Sequence, residues 1–223
     1  MTNVISVPQI PATVVSFFAP RYTQWPGVDY DSCLDILDAS CKRLGIKHVC
    51  ISDQKRPRVE TFVTELPENL MQAFFVGQIA WLREHPGRPT MFTGADCIVT
   101  RNPTEVCIGY DMAITTRHYT ELNTGAVWCY STGACIKVFE DALSLNPVHW
   151  GEDQSCLMTA IRRHPYLRLR ELPFREYNSK AKHPMDKMDR PPLVMHAKGN
   201  ATKKDVMAPW WENFKRVHGE TAE

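Results

Sequence analysis

Four polar clusters interrupt an otherwise apolar text: the acid that ends "TMFTGAD", Asp96; the triplet Asn123-Thr124-Gly125; Glu152-Asp153-Gln154, after Trp150-Gly151; and His196-Ala197-Lys198-Gly199. A carboxylate and an imidazole are oxygen and nitrogen donors that, together with phosphate oxygens, can hold a divalent ion such as Mn²⁺ or Mg²⁺. Ammonium groups and an approachable glycine backbone stabilise a departing diphosphate. Asp153 could take a proton from a hydroxyl. As acids in the first turn of a helix, Glu152 and Asp153 would instead complement its dipole. Asp96 could equally be the polar residue of a turn, and Asn123-Thr124-Gly125 a plain entrance to a strand.

Several common chemistries lack their scaffold. The sequence has no GxGxxG and no GxxxxGK[ST], so the usual dinucleotide and P-loop sites are missing, and no GxSxG elbow presents a serine. The eight cysteines form no CxxC pair and mostly lie in apolar segments, the habit of reduced core cysteine rather than of a disulfide framework or a zinc site.

The elements that must position these clusters are legible from periodicity. "ATVVSFF" (12–18) reads as a buried first strand and "KHVCISD" (47–53) as a second that ends in an acid. Between them, "SCLDILDASCKRLG" places Leu34, Leu37 and Leu44 on one side of a helix capped by Asp31 and stopped at Gly45. A long helix within 67–87 has a proline at its start and Pro-Gly after its end, and "TMFTGADCIV" and "YDMAITT" (110–116) follow as strands. Alternating strand and helix predict a doubly wound, mainly parallel sheet whose ligands bind beyond the carboxyl ends of the strands. Residues 20–22, Asp53 and Asp96 are then neighbours. "LNTGAVWCY" is a short strand, "ACIKVFEDAL" and "GEDQSCLMTAIRR" are helices, "LVMHA" is a last strand bringing His196 to the ligand edge, and "APWWENFKRV" is a closing helix.

Taken in order, the carboxylate, Asn-Thr-Gly, Glu-Asp-Gln and His-x-Lys-Gly pieces resemble the nucleotide-sugar-dependent glycosyltransferases of the A-type fold, more narrowly the family of glycogenin and the lipopolysaccharide galactosyltransferases, over roughly residues 12–205. The resemblance implies a single Rossmann-like glycosyltransferase-A domain, α/β, with a mixed, mainly parallel sheet flanked by helices, over 1–205, followed by a C-terminal helix and tail over 206–223. It implies Mn²⁺ (or Mg²⁺) held by Asp96 and His196. The family's Asp-x-Asp is here Gly94-Ala95-Asp96: the second acid is kept and the first is glycine. Lys198, Gly199 and Lys203 or Lys204 match the diphosphate-binding stretch, and Asn123, Thr124 and Gly125 the turn that touches the donor sugar. Ala19, Tyr22 and Asp53 correspond to uracil and ribose contacts, and Gln78 takes the place of a basic residue facing the donor. Asp153-Gln154 is similar to the acidic-Gln pair of retaining enzymes, whereas Glu152-Asp153 is similar to the Glu-Asp pair of inverting ones, so stereochemistry stays open.

The 223 residues are 43% hydrophobic and 23% charged with a net charge of +1, a balance expected of one folded domain. The first residues have neither a basic n-region nor a long apolar run, so a cytoplasmic protein without a membrane span is expected. Twelve Lys/Arg against four Asp/Glu between Arg162 and Lys204 could face a phosphorylated ligand or a nucleic acid, or be a solvated surface. The expected partners are a nucleotide-sugar donor and a saccharide acceptor. Tyr166, Phe174 and Tyr177 among Arg162, Arg163, Arg168, Arg170 and Arg175 offer a nucleic-acid acceptor, hydroxymethylated DNA bases, as the alternative. A binding module without turnover is a further reading, prompted by Gly94.

Overall fold

The computed structural model describes residues 10–22, 28–117, 121–130, 133–179, 191–197 and 203–218. Its centre is a seven-stranded sheet ordered β3-β2-β1-β4-β7-β6-β8. The strands are β1 (Thr13–Phe17), β2 (His48–Ser52), β3 (Thr61–Val63), β4 (Thr90–Gly94), β6 (Met112–Arg117), β7 (Glu121–Cys129) and β8 (Leu169–Pro173). β1 to β4 run parallel, β7 is antiparallel to both neighbours, and β8 is parallel to β6. The α/β fold with a mixed, mainly parallel sheet is thus present.

The buried strands carry apolar residues on both faces because helices cover both. Val15, Phe17, Ile51, Phe92, Ile114 and Val127 pack under α2 (Leu70–Glu84), α3 (Gly133–Ser144) and α4 (Glu152–Arg163). Val14, Met91, Ala113 and Trp128 pack with Leu37 and Cys41 of α1 (Tyr30–Arg43). A buried chain of hydrogen bonds, Ser16 Oγ to His48 Nε2 at 2.9 Å and His48 Nδ1 to Asp38 Oδ1 at 3.1 Å, ties β1 and β2 to α1. It has the composition of a catalytic triad, but Ser16 has no solvent access, so it serves as a polar staple. The closing helix α6 (Lys203–His218) starts before residue 206 and packs Met207 and Phe214 against Cys33 and Ile36 of α1. No helix among the described residues is long and apolar enough to cross a membrane.

Four local readings are corrected. Asp29, not Asp31, caps α1 by accepting from Ser32 N, and Asp31 pairs with Arg56. The long helix begins after Asn69, whose side chain accepts from Met71 N and Gln72 N, rather than at Pro67. "TMFTGADCIV" is two strands, because the chain turns at Ala95-Asp96 and β5 (Cys97–Val99) leaves for a second, three-stranded sheet. That sheet has the order β5-β10-β9, with β10 (Val194–His196) between β5 and β9 (Asn178–Ser179), and β9 directly follows the short helix α5 (Phe174–Tyr177). Asn123-Thr124-Gly125 lies inside the nine-residue β7 rather than before it.

Candidate active site

Beyond the carboxyl ends of β1, β2 and β4 opens a cavity of about 450 Å³, within the range of small-molecule sites. Five aromatic rings line it, those of Phe17, Phe18, Tyr22, Tyr30 and Phe74. Phe18 stacks on Tyr30 at 5.2 Å, and Phe17 packs against Phe74 at 4.5 Å. The Tyr22 hydroxyl donates to the Pro67 carbonyl, and burial pushes its pKa up, so it stays a donor. Polar side chains line it as well: Gln78, Asp96, Asn123, Thr124, Asp153, Gln154 and His196.

Asp96 reaches this wall from the turn between β4 and β5. Its carbonyl accepts from Ala197 N at 2.8 Å, and β10 runs antiparallel to β5 with His196 opposite Cys97. This pairing brings residues a hundred positions apart together: His196 Nε2 lies 3.3 Å from Asp96 Oδ1. Ligands bound at right angles to a common ion at about 2.1 Å are separated by about 3 Å, so the pair fits a shared divalent cation. Among the described residues the buried His196 Nδ1 has no hydrogen-bond partner. Cys97 is the residue that sequence reading missed: its thiol, Asp96 and His196 all offer donor atoms within 4.8 Å of one another. The signal was its place next to Asp96, but a cysteine inside an apolar strand reads as core. The soft thiol sits against Gly125 O at 3.9 Å and is fully buried, whereas the carboxylate and imidazole suit a harder ion.

Two glycines make room for this pair. A Cβ at Gly94 would stand 2.5 Å from Asp96 Oδ1, so a side chain there would turn the carboxylate away from His196. The position that is acidic in the resembled motif is thus occupied here by the Asp96 carboxylate itself. A Cβ at Gly125 would stand 2.3 Å from His196 Nδ1 and 2.9 Å from Asn123 Oδ1. Gly125→Ala is therefore expected to cost about 1–3 kcal/mol of stability from overpacking, read as a lower urea midpoint, and to weaken divalent-ion binding by displacing the imidazole.

Gly125 stands in a bulge. Between β6 and β7 the pairing jumps from Ile114↔Val127 to Thr115↔Asn123, so Thr124, Gly125 and Ala126 lack partners on β6. The bulge re-aims Thr124 into the cavity, as such irregularities do beside sites. Asn123 Oδ1 holds it, accepting from Gly125 N at 2.9 Å and from Asn178 Nδ2 at 3.0 Å. Asn178, fully buried, also donates to Thr115 Oγ1 at 3.3 Å. Thr124 Oγ1 then donates to Asp153 Oδ2 at 2.7 Å. Burial raises the Asp153 pKa, opposed by this hydroxyl and by the backbone N–H groups of Asp153 and Gln154.

Of the other expected residues, Ala19, Tyr22, Gln78, Gly94 and Ala95 line the cavity. Asp53 does not; its carboxylate pairs with Arg21 Nε at 3.0 Å. Glu152 does not either: its Oε2 accepts from Val148 N at 2.7 Å and His149 N at 2.8 Å, which lowers its pKa and makes it a brace for the preceding loop. Lys198 and Gly199 lie outside the described residues, as do the side chains of Lys203 and Lys204. The arginine cluster is elsewhere. Arg162 follows Asp153 by nine residues of helix, about 14 Å along its axis. Arg168 precedes β8, at the amino end of the parallel strands, where it grips Asp111 with Nη2 to Oδ1 at 2.7 Å and Nε to Oδ2 at 3.1 Å. Arg170 lies over Tyr110, and Tyr177 packs edge-on against Trp128, so no residue of this cluster reaches the cavity.

No protein family and no curated protein matches the sequence. Solved structures do match. A glycosyltransferase involved in the glycosylation of the major capsid of PBCV-1 aligns with a TM-score of 0.60 at 12% identity, over 89% of this chain and 98% of its own. The glycosyltransferase GlyE of Streptococcus pneumoniae TIGR4 aligns with a TM-score of 0.61 at 12% identity, over 96% of this chain and 66% of its own. The galactosyltransferase LgtC, in complex with donor and acceptor sugar analogs, aligns with a TM-score of 0.54 at 11% identity, over 95% of this chain and 97% of its own. At such identities the likeness is one of architecture, and the chain has the fold of these glycosyltransferases.

Proposed function

We propose that the protein is a glycosyltransferase that moves a sugar from a nucleoside diphosphate sugar, a UDP-sugar, to a hydroxyl acceptor with the help of Mn²⁺ or Mg²⁺. The observation that carries this reading is the convergence of Asp96 and His196 at 3.3 Å on the wall of a cavity that also holds the Thr124-bound carboxylate of Asp153. When bound, the ion would neutralise charge on the leaving diphosphate.

The chain's own residues divide the remaining work. The aromatic rings near Ala19 and Tyr22 accommodate the base, and Asp53 acts through Arg21 rather than by direct contact. Gln78 and the Asn123-Thr124-Gly125 bulge face the sugar. Lys198, Gly199 and Lys203, which follow His196 in sequence, are assigned to the diphosphate. Asp153, with Gln154 beside it, stands at the sugar, where it takes the acceptor proton or steadies charge on the ring. The anomer of the product, read by NMR, decides between these two roles.

A nucleotide-sugar-binding module without turnover was suggested by the glycine at position 94. A Cβ at Gly94 would stand 2.5 Å from Asp96 Oδ1, so an acid at that position would have to displace the one carboxylate that faces His196. Calorimetry with UDP and UDP-sugars, with and without Mn²⁺, tests the reading. Metal-enhanced binding accompanied by nucleotide release supports it, binding without release favours the module, and no binding of any UDP compound refutes both.

A further inference from the structure

The loop between α3 and α4 exposes a large aromatic ring on a backbone that is firmly held. Trp150 is 66% exposed, the most exposed tryptophan among the described residues, and it lines the cavity three positions before Asp153. Val148 beside it is 42% exposed. The loop backbone is braced from both sides. Glu152 accepts from Val148 N and His149 N, Asn69 Nδ2 donates to Val148 O at 3.0 Å, and Gln72 Nε2 donates to Asn146 Oδ1 at 2.7 Å. Asn146 and Gly151 hold positive φ, 56° and 84°, at either end. Leaving an indole in water forgoes the free energy its burial would contribute, and apolar surface held at a cavity mouth marks a place where a ligand lands.

We propose that Trp150 is the stacking platform for the acceptor, and that the acceptor is an uncharged saccharide whose pyranose ring lays its C–H face on the indole. This rests on the glycosyltransferase reading for the word acceptor, but the stacking itself does not. The electron-rich face of the indole attracts the weakly positive C–H groups on one side of a pyranose, and a rigid ring loses little entropy on stacking. The rings near Ala19 and Tyr22 are assigned to the donor base, whereas Trp150 lies three residues before Asp153, where a reacting hydroxyl has to arrive. Nucleic acid is disfavoured because no Lys or Arg is among the described residues lining the cavity, and a polyanion needs its phosphates neutralised.

Saturation-transfer NMR on the whole protein, with and without UDP, tests this using lactose, maltose, cellobiose and chitobiose at up to about 20 mM, enough to reveal millimolar affinity. At least one disaccharide is expected to receive saturation on one ring face. Trp150→Ala should weaken its Kd about tenfold or more, while Trp150→Phe keeps most of it. Thermal melting checks that both variants are folded. The proposal is overturned if no disaccharide binds the wild type, if binding is equal in Trp150→Ala, or if Trp150→Ala loses affinity for UDP or for an oligothymidylate instead. Saccharide binding without any UDP binding in calorimetry would sink the transferase reading while leaving the platform standing.

Discussion

Asp96→Ala is expected to abolish metal-dependent release of nucleotide, by about a hundredfold or more, and to leave His196 as the one remaining hard-ion ligand of the pair. Folding should survive the change. The link from this turn to β10 runs through the Asp96 carbonyl, which alanine retains. The measurement is Mn²⁺ binding, followed by electron paramagnetic resonance of the free ion, alongside turnover. A variant that binds Mn²⁺ as tightly as the wild type would show that the ion sits elsewhere.

Asp153→Asn is the second large effect: turnover should fall about a hundredfold to ten-thousandfold, the usual range for a positioned acid or base. The raised pKa gives this prediction a pH signature. If the carboxylate form is the active one, activity is lost on the acid side at a pH above the ordinary carboxylate value of 3.8, and this limb vanishes in Asp153→Asn. Thr124→Val removes a hydrogen bond that favours the ionised form, so it should move the limb to still higher pH. Stability runs the other way. Because the folded pKa is raised, the folded state holds this proton more readily than the unfolded chain does. The contribution is therefore full below the unfolded pKa and is lost as pH rises through the folded one. An acid limb unchanged by Thr124→Val would contradict the placement of this pair.

Strands β1, β2, β4 and β6 could be read from the sequence because each carries an apolar run, whereas β3, three residues none of which is buried, and β8, in which arginine and glutamate sit between leucines, carry no such signal. The site was legible only in pieces. Asp96 and His196 each look ordinary alone, since what joins them is the antiparallel register of β5 and β10, a contact across a hundred residues that no local pattern encodes. "TMFTGADCIV" reads as one strand because apolar residues continue on both sides of the turn, where Ala95 is itself buried. Glu152 cannot be told from Asp153 in the sequence, because an acid in a first helical turn has one signature, whether it faces a ligand or reaches back to cap a loop. Asn178 carried no signal at all, since its role follows from the bulge in β7. The arginine cluster shows the limit of counting charge along a chain: a helix of twelve residues carried its first members to the opposite end of the sheet from the cavity.

The central claim is that Asp96 and His196 hold a divalent ion that serves the departure of nucleotide from a nucleotide sugar. It is tested most directly by measuring nucleotide release from UDP-, GDP- and other nucleotide sugars by the wild-type protein, first with Mn²⁺ and then with excess chelator. The account predicts release from at least one UDP-sugar that Mn²⁺ supports and the chelator stops. Release that continues unchanged in chelator, or no release from any donor with Mn²⁺ present, would contradict it.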